Sequence, residues 1–132
     1  MKILVVDDDI GMTDLLKILL APASNNIMVA NSGKEGVSIV KKDPPDVVIL
    51  DLMMPEMDGC EVCKSVREFS NVPILILSAM DNPGMVAQAL DAGADDYVIK
   101  PVPSGVLIAH INKLIRRKTP NRAHYSPSTA AY

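Results

Sequence analysis

Val47, Val48, Ile49 and Leu50 run without a polar interruption into Asp51, and the chain then turns through residues 52–59, with Pro55 and Gly59 as its turn residues. No other feature limits the fold as tightly. A strand with one wet face alternates apolar and polar side chains, whereas a short unbroken run bounded by turn residues fits a strand covered on both faces. Such a strand belongs in a parallel sheet with helices packed above and below it. Asp51 then marks the place where the strand leaves the core, and a lone carboxylate there needs a neutralising partner to offset its desolvation.

Further apolar runs share this character: 2–6 (KILVV), 26–30 (NIMVA), 73–77 (PILIL) and 96–99 (DYVI), with the run before Asp51 taken as 46–50. Segments of helical period separate them. Met12, Leu15, Leu16, Leu19 and Leu20 follow the i, i+3, i+4, i+7 pattern in a helix that stops at Pro22. A weaker helix covers 33–42 around Val37 and Val40 and is ended by Pro44 and Pro45. A third covers 59–68 with Val62 and Val66, a fourth, alanine-rich, covers 84–92 and closes at Gly93, and a fifth covers 104–117 with Leu107, Ile111 and Leu114. Strict alternation of strand and helix predicts an α/β domain built on a doubly wound parallel sheet with right-handed crossovers. One domain then occupies residues 1–118, and the prolines and scarce apolar residues of 119–132 predict a linker or disordered tail.

A formal net charge of −3 gives no general attraction to nucleic acid. No apolar run approaches membrane-spanning length, and the N-terminal MKILVVDDD meets acid before a signal peptide could develop. These features are read as a cytoplasmic domain without direct nucleic-acid or membrane contact. Cys60 and Cys63 form a C-x-x-C pair, a spacing shared by redox and zinc sites. Zinc would need two further ligands, and His110 and His124 are remote in sequence. The same spacing places both cysteines on one side of a helix, with Cys63 as a small buried apolar residue, and that reading is adopted.

In an open parallel sheet, ligands gather beyond the carboxyl ends of the strands. The first strand ends in Asp7, Asp8 and Asp9, the third in Asp51, the fourth in Ser78, and the fifth in Lys100 followed by Pro101. The second offers only Asn31 and Ser32, which suits an edge strand lying away from the site. Carboxylates about 4 Å apart repel by roughly 1 kcal/mol per pair in water and about 4 kcal/mol near a protein surface. That repulsion calls for a hard divalent cation, Mg²⁺ for preference with Mn²⁺ as a substitute. Lys100 adds a fixed positive charge and Ser78 a hydroxyl, which together make a pocket for three anionic oxygens. A carboxylate held beside a metal and a lysine can attack phosphorus and form an aspartyl phosphate. Each piece alone has a plain explanation, with Asp9 a helix cap, Ser78 another and Lys100 a solvated lysine. Their conjunction, each at the end of its own strand, does not.

VVDDD, LDLMMPEMDG, ILSA, AGADDY and KP occur in an order and spacing that resembles the receiver domain of two-component response regulators, most closely the receivers of DNA-binding winged-helix regulators. The resemblance runs from Lys2 to about Lys118. It implies a (βα)5 flavodoxin-like fold with strand order 2-1-3-4-5. It makes Asp51 the phosphoacceptor and Asp7 and Asp8 the acidic pair, Asp8 reaching Mg²⁺ directly and Asp7 mainly through water, with the backbone carbonyl of Met53 as the third protein ligand. Ser78 is then the switch hydroxyl and Tyr97 the aromatic that follows it inward. Lys100 pairs with phosphate oxygens, aimed by a cis peptide before Pro101, while Pro55 and Gly59 shape the loop that delivers the Met53 carbonyl.

The implied partner is a sensor histidine kinase or a phosphotransfer protein. The domain would catalyse only its own phosphorylation and dephosphorylation and would not be a turnover enzyme. Its output surface would be the fourth helix, fifth strand and fifth helix, which in such relatives also forms a homodimer. There His110 stands in place of the usual arginine, and PGMVAQAL in the fourth helix lacks charged partners. Met53 and Met80, two residues beyond the acceptor and the switch hydroxyl, are apolar and cannot orient an attacking water, which implies a long-lived phosphoryl group. Two other readings use the same residues. A phosphatase of the haloacid dehalogenase type would employ Asp7 as nucleophile and Asp9 as acid/base, though Ile10-Gly11 replaces the Gly-Thr expected there. A degenerate interaction module would carry no phosphate at all.

Overall fold

Strands β1 (Lys2–Val6), β2 (Asn26–Ala30), β3 (Val47–Leu50), β4 (Ile74–Ser78) and β5 (Asp96–Ile99) alternate with helices α1 (Ile10–Leu20), α2 (Gly33–Lys42), α3 (Gly59–Arg67), α4 (Pro83–Asp91) and α5 (Ser104–Lys118). This is a computed structural model, and it describes residues 1–118. The segment 119–132, expected as a tail, lies outside the described residues. All pairings are parallel and the sheet order is β2-β1-β3-β4-β5, as the resemblance implies.

Successive strand side chains point to opposite faces, and this alternation divides the core in two. Leu4, Val6, Val48, Leu50, Ile74 and Ile76 pack with Val40 of α2, Val62, Cys63 and Val66 of α3 and Ala89 of α4. Their sequence neighbours Ile3, Val5, Val47, Ile49, Leu75 and Leu77 pack with Leu16 and Leu20 of α1 and with Leu107, Ile111 and Leu114 of α5. The run 47–50 is apolar throughout because it feeds both layers, and none of its residues is more than 1% exposed. Cys63 is buried in the first layer, and desolvation pushes its thiol up to about 12. Burial likewise raises Cys60, so neither cysteine has the thiolate character that redox chemistry requires.

Local chemistry sets the helix starts. Asp9, Ser32, Asp58 and Asn82 are N-caps whose side chains accept from backbone N–H groups of the first turn. At α3, Asp58 and Glu61 satisfy each other's backbone in a capping box, and α4 opens with Pro83, which has no N–H to lose. β4 starts at Ile74 and not at Pro73, yet the Pro73 carbonyl still accepts the Val48 N–H at 2.9 Å. In α1 the buried side chains are Thr13, Leu16 and Leu20. Leu15, counted with the inward stripe from its spacing, is 46% exposed because it sits one helical step off the line through Leu16 and Leu20.

One side chain fastens the lower end of this architecture. Arg67, at the end of α3, donates from Nε to the Gly93 carbonyl at 3.0 Å, from Nη1 to the carbonyls of Ser70 and Val72, and from Nη2 to Asp95 at 2.9 Å. The same Asp95 oxygen accepts the Ile74 N–H, tying in the start of β4. Gly93 is fixed by two constraints: its φ is +122°, and a Cβ there would lie 2.7 Å from Arg67 Cγ. Replacing Arg67 with Ala takes a donor from three loop carbonyls, those of Ser70, Val72 and Gly93, and leaves the Asp95 carboxylate without its cation. Urea denaturation is expected to show a loss of about 2–3 kcal/mol, with Arg67→Lys recovering less than half because a lone ammonium cannot reproduce the guanidinium fork.

Candidate functional site

The β-ladder continues one residue beyond β1, β3 and β5 and thereby holds the backbone of the polar residues that follow. Asp7 N–H donates to the Ala30 carbonyl at 3.1 Å, Asp51 N–H to Val6 at 2.9 Å, and Lys100 N–H to Ser78 at 2.9 Å. Asp7, Asp8 and Asp51 consequently meet at one end of the sheet, each offering a carboxylate oxygen within 4.8 Å of the others. Asp7 is 4% exposed, Asp51 is half-buried and Asp8 faces solvent. Lys100 reaches in from β5 with Nζ at 3.5 Å from Asp7 Oδ2 and 3.8 Å from Asp51 Oδ1. The other Asp7 oxygen accepts the Asp9 N–H at 3.0 Å.

Burial, followed by the charge of Asp7, raises Asp51 from the ordinary carboxylate range to about 6. Lys100 and the Leu52 N–H oppose that rise, and Asp8 adds to it. Three hard oxygen donors with surplus negative charge fit a small divalent cation, whereas a thiophilic metal would find no sulfur or imidazole in this cluster.

The loop after β3 must pass very close to the acceptor strand. A Cβ on Gly59 would lie 2.7 Å from the Asp51 carbonyl oxygen and 2.9 Å from Leu52 Cα, so only glycine fits, and its N–H closes the loop on the Leu52 carbonyl at 2.8 Å. Between them, Met57 N–H donates back to the Pro55 carbonyl at 2.7 Å across Glu56, whose φ of +66° is a left-handed conformation. The Lys100–Pro101 peptide is cis, as expected. Ser78 is buried, and its Oγ accepts the Met80 N–H at 3.2 Å. Tyr97, half-buried, donates its hydroxyl to the Met80 carbonyl at 2.6 Å.

Asp9 follows its plain sequence reading as a helix cap, and Asn31 departs from its reading. Asp9 accepts the Met12 N–H at 3.2 Å as the cap of α1 and is not one of the converging carboxylates, which removes the acid/base partner that a phosphatase built on Asp7 and Asp9 would need. Asn31, set aside as an edge residue, donates from Nδ2 to the Asp7 carbonyl at 2.9 Å and so belongs to the site. Its position directly after a strand was the only available signal. On the β5 side, Asp95 is paired with Arg67, and Asp96 Oδ2 lies 2.7 Å from His110 Nδ1, so both acids of the AGADDY stretch have partners within the chain.

Among the described residues no helix is long and apolar enough to cross a membrane. The family model for the response regulator receiver domain matches residues 3–112. The response regulator MprA of Mycobacterium leprae is 42% identical over 124 residues, covering 93% of this chain and 54% of that protein. The transcriptional regulatory protein AfsQ1 of Streptomyces coelicolor is 36% identical over 116 residues, covering 88% and 52%. The chain thus spans about half the length of the curated relatives it matches. Among solved structures, the receiver domain of the Francisella response regulator 1452 superposes with a TM-score of 0.82 at 34% identity over 89% of this chain and 98% of that one. The BeF3-activated DrrB receiver domain superposes with a TM-score of 0.78 at 28% identity, covering 87% and 97%. Sheet order, acid cluster and sequence agree that the chain belongs to the receiver domains of two-component response regulators.

Proposed function

We propose that Asp51 accepts a phosphoryl group from a phosphohistidine on a sensor histidine kinase or phosphotransfer protein, in the cytoplasm, and that residues 1–118 form the switching unit. The observation that carries this reading is the meeting of Asp7, Asp8 and Asp51 opposite Lys100. With a carboxyl pKa of about 6, Asp51 is mostly ionised at neutral pH and can attack phosphorus as its Oδ–P bond forms and the P–N bond to imidazole breaks. Lys100 supplies positive charge where the phosphoryl oxygens arrive, and the Ser78 hydroxyl exchanges its bond with the Met80 N–H for one to the phosphoryl group. Asp7, Asp8, Asp51 and the Met53 carbonyl would hold Mg²⁺, which when bound neutralises charge on the transferring oxygens. The domain is a phosphoacceptor and not a turnover enzyme.

A partner also needs a surface beside the acceptor. On α1, Ile10, Leu15 and Ile18 are exposed, and a groove of about 190 Å³ lined by Leu15, Leu19, Pro101 and Val102 adjoins Lys100. An apolar helix bearing the donor histidine suits this face. The output face of α4, β5 and α5 exposes Leu90, Ile99 and Val106, while Asp95 and Asp96 are paired internally. A second copy meeting that face would be held chiefly by apolar contact, with Asp95 and Asp96 already engaged within each chain.

Mass spectrometry after incubation with acetyl phosphate and Mg²⁺ is expected to find one phosphoryl group on Asp51 in the parent and none in Asp51→Asn; equal labelling of the two rejects the assignment. Linkage makes a second expectation. A carboxyl raised to about 6 favours the folded state while protonated, and that contribution is lost as pH rises from the unfolded value of 3.8 through 6. In EDTA, Asp51→Asn should therefore gain about 1 kcal/mol over the parent at pH 8, a figure reduced for solvent screening, and the gain should vanish near pH 4. Lifetime is governed by what can hold an attacking water. Met80 cannot, so Met80→Glu is expected to speed loss of phosphate from Asp51 several-fold, and an unchanged half-life argues against water access as the limit.

A further inference from the structure

Asn31 does more than end an edge strand. The ladder between β1 and β2 keeps Val6 opposite Ala30, and its last bond runs from the Asp7 N–H to the Ala30 carbonyl. The next step would bring a backbone N–H to the Asp7 carbonyl. The donor that the parallel pattern would next draw from Ser32 is supplied by the Asn31 side chain, with Nδ2 at 2.9 Å from the Asp7 carbonyl and 3.3 Å from Thr13 Oγ1, while the Asn31 N–H goes to Glu35 Oε1 at 2.8 Å. Glu35 is itself fixed, its N–H donating to the Ser32 cap at 3.1 Å. A single residue therefore joins the end of β1, the first turn of α1 and the first turn of α2, the first two through its side-chain amide and the third through its backbone N–H.

The carbonyl it holds belongs to the peptide unit between Asp7 and Asp8. Asp7 has its own restraints, since one oxygen accepts the Asp9 N–H and the other faces Lys100. Asp8 has none of that kind: among the described residues no hydrogen bond or ion pair engages its carboxylate, which stands in solvent. With no partner to hold χ1 and χ2, its reach is restrained by the backbone, which sets the Cα–Cβ direction. We propose that Asn31 is a positioning residue for the cation site: by pinning the Asp7 carbonyl it fixes the Asp7–Asp8 peptide plane, and so aims the Asp8 carboxylate toward Asp7 and Asp51. The inference rests on the reading of these acids as a Mg²⁺ site. An uncharged donor suits the task. A lysine or arginine there would compete with the cation for the acids, and a carboxylate would add a fourth negative charge.

Calorimetric titration of the whole chain with MgCl₂, alongside thermal unfolding in EDTA, tests the proposal. Asn31→Ala and the volume-retaining Asn31→Leu are expected to weaken Mg²⁺ binding about 10-fold, the lower end of what losing a supporting hydrogen bond does to a metal site. Raising Mg²⁺ should bring the phosphorylation rate of both variants back toward that of the parent, since the groups that contact phosphorus remain in place. Thr13→Val, which removes an Asn31 acceptor but leaves the bond to Asp7, should bind Mg²⁺ as the parent does. Equal Mg²⁺ affinity in the parent and both Asn31 variants overturns the proposal, as does a loss in Thr13→Val as large as in Asn31→Ala, which would indicate general loosening. A parent chain that binds no Mg²⁺ would instead reject the cation-site reading beneath it.

Discussion

Three carboxylates whose oxygens lie within 4.8 Å of one another repel, and the upper edge of this domain is organised around that repulsion. The Lys100 ammonium, 3.5 Å from one acid and 3.8 Å from another, offsets part of it. The remainder shows in Asp51, whose affinity for a proton is raised by burial and by Asp7 despite the lysine. A site in this condition gains from any added positive charge. Cation binding, proton binding and the approach of Lys100 are alternative answers to one electrostatic problem, and each alters the stability of the whole domain through linkage.

Holding like charges together requires a scaffold that cannot relax them apart. The sheet provides it because β1 and β3, which carry Asp7 and Asp51, are neighbours and are almost wholly buried on both faces. Each feeds two separate apolar layers, so sliding either strand by one residue would exchange the contents of both. The acids are thus fixed by contacts several residues away from them. The Gly59 constraint completes the enclosure, since the loop bearing Met53 can pass over Asp51 only where no Cβ intervenes.

Much of this was legible in the sequence, for reasons particular to each element. The run 47–50 has no polar residue because both of its faces are dry, and the proline and glycine breaks lie where the strands and helices end. Asp7, Asp51, Ser78 and Lys100 could be singled out because each follows an apolar run directly, whereas Met53 and Tyr97 came only from the resemblance. What escaped depended on partners distant in sequence. Leu15 satisfies the same local spacing as Leu16, and only the position of α5 determines which of the two is covered. Asn31 and Asp7 are 24 residues apart, and Arg67 and Gly93 are 26 apart. Neither pair leaves a periodic trace, so side chains that bind backbone carbonyls across the fold are nearly invisible to pattern reading.

One such set of contacts leads from the site to the output face. Ser78 Oγ accepts from Met80 N–H, the Met80 carbonyl accepts from the Tyr97 hydroxyl, the Tyr97 N–H donates to Asp96 Oδ1, and Asp96 Oδ2 meets His110 Nδ1 on α5. Spatial continuity alone does not establish coupling; coupling needs an element with two arrangements whose balance each end can shift. The segment around Met80 has the right chemistry for one. Its N–H and its carbonyl are bound to opposite ends of the path, so on the proposed function a phosphoryl group that recruited the Ser78 hydroxyl would free the Met80 N–H beside the carbonyl that anchors Tyr97. Had Tyr97 bonded to a side chain instead, rotation about χ angles could absorb such a change; because it bonds to main chain, the change would fall on the β4–α4 loop itself.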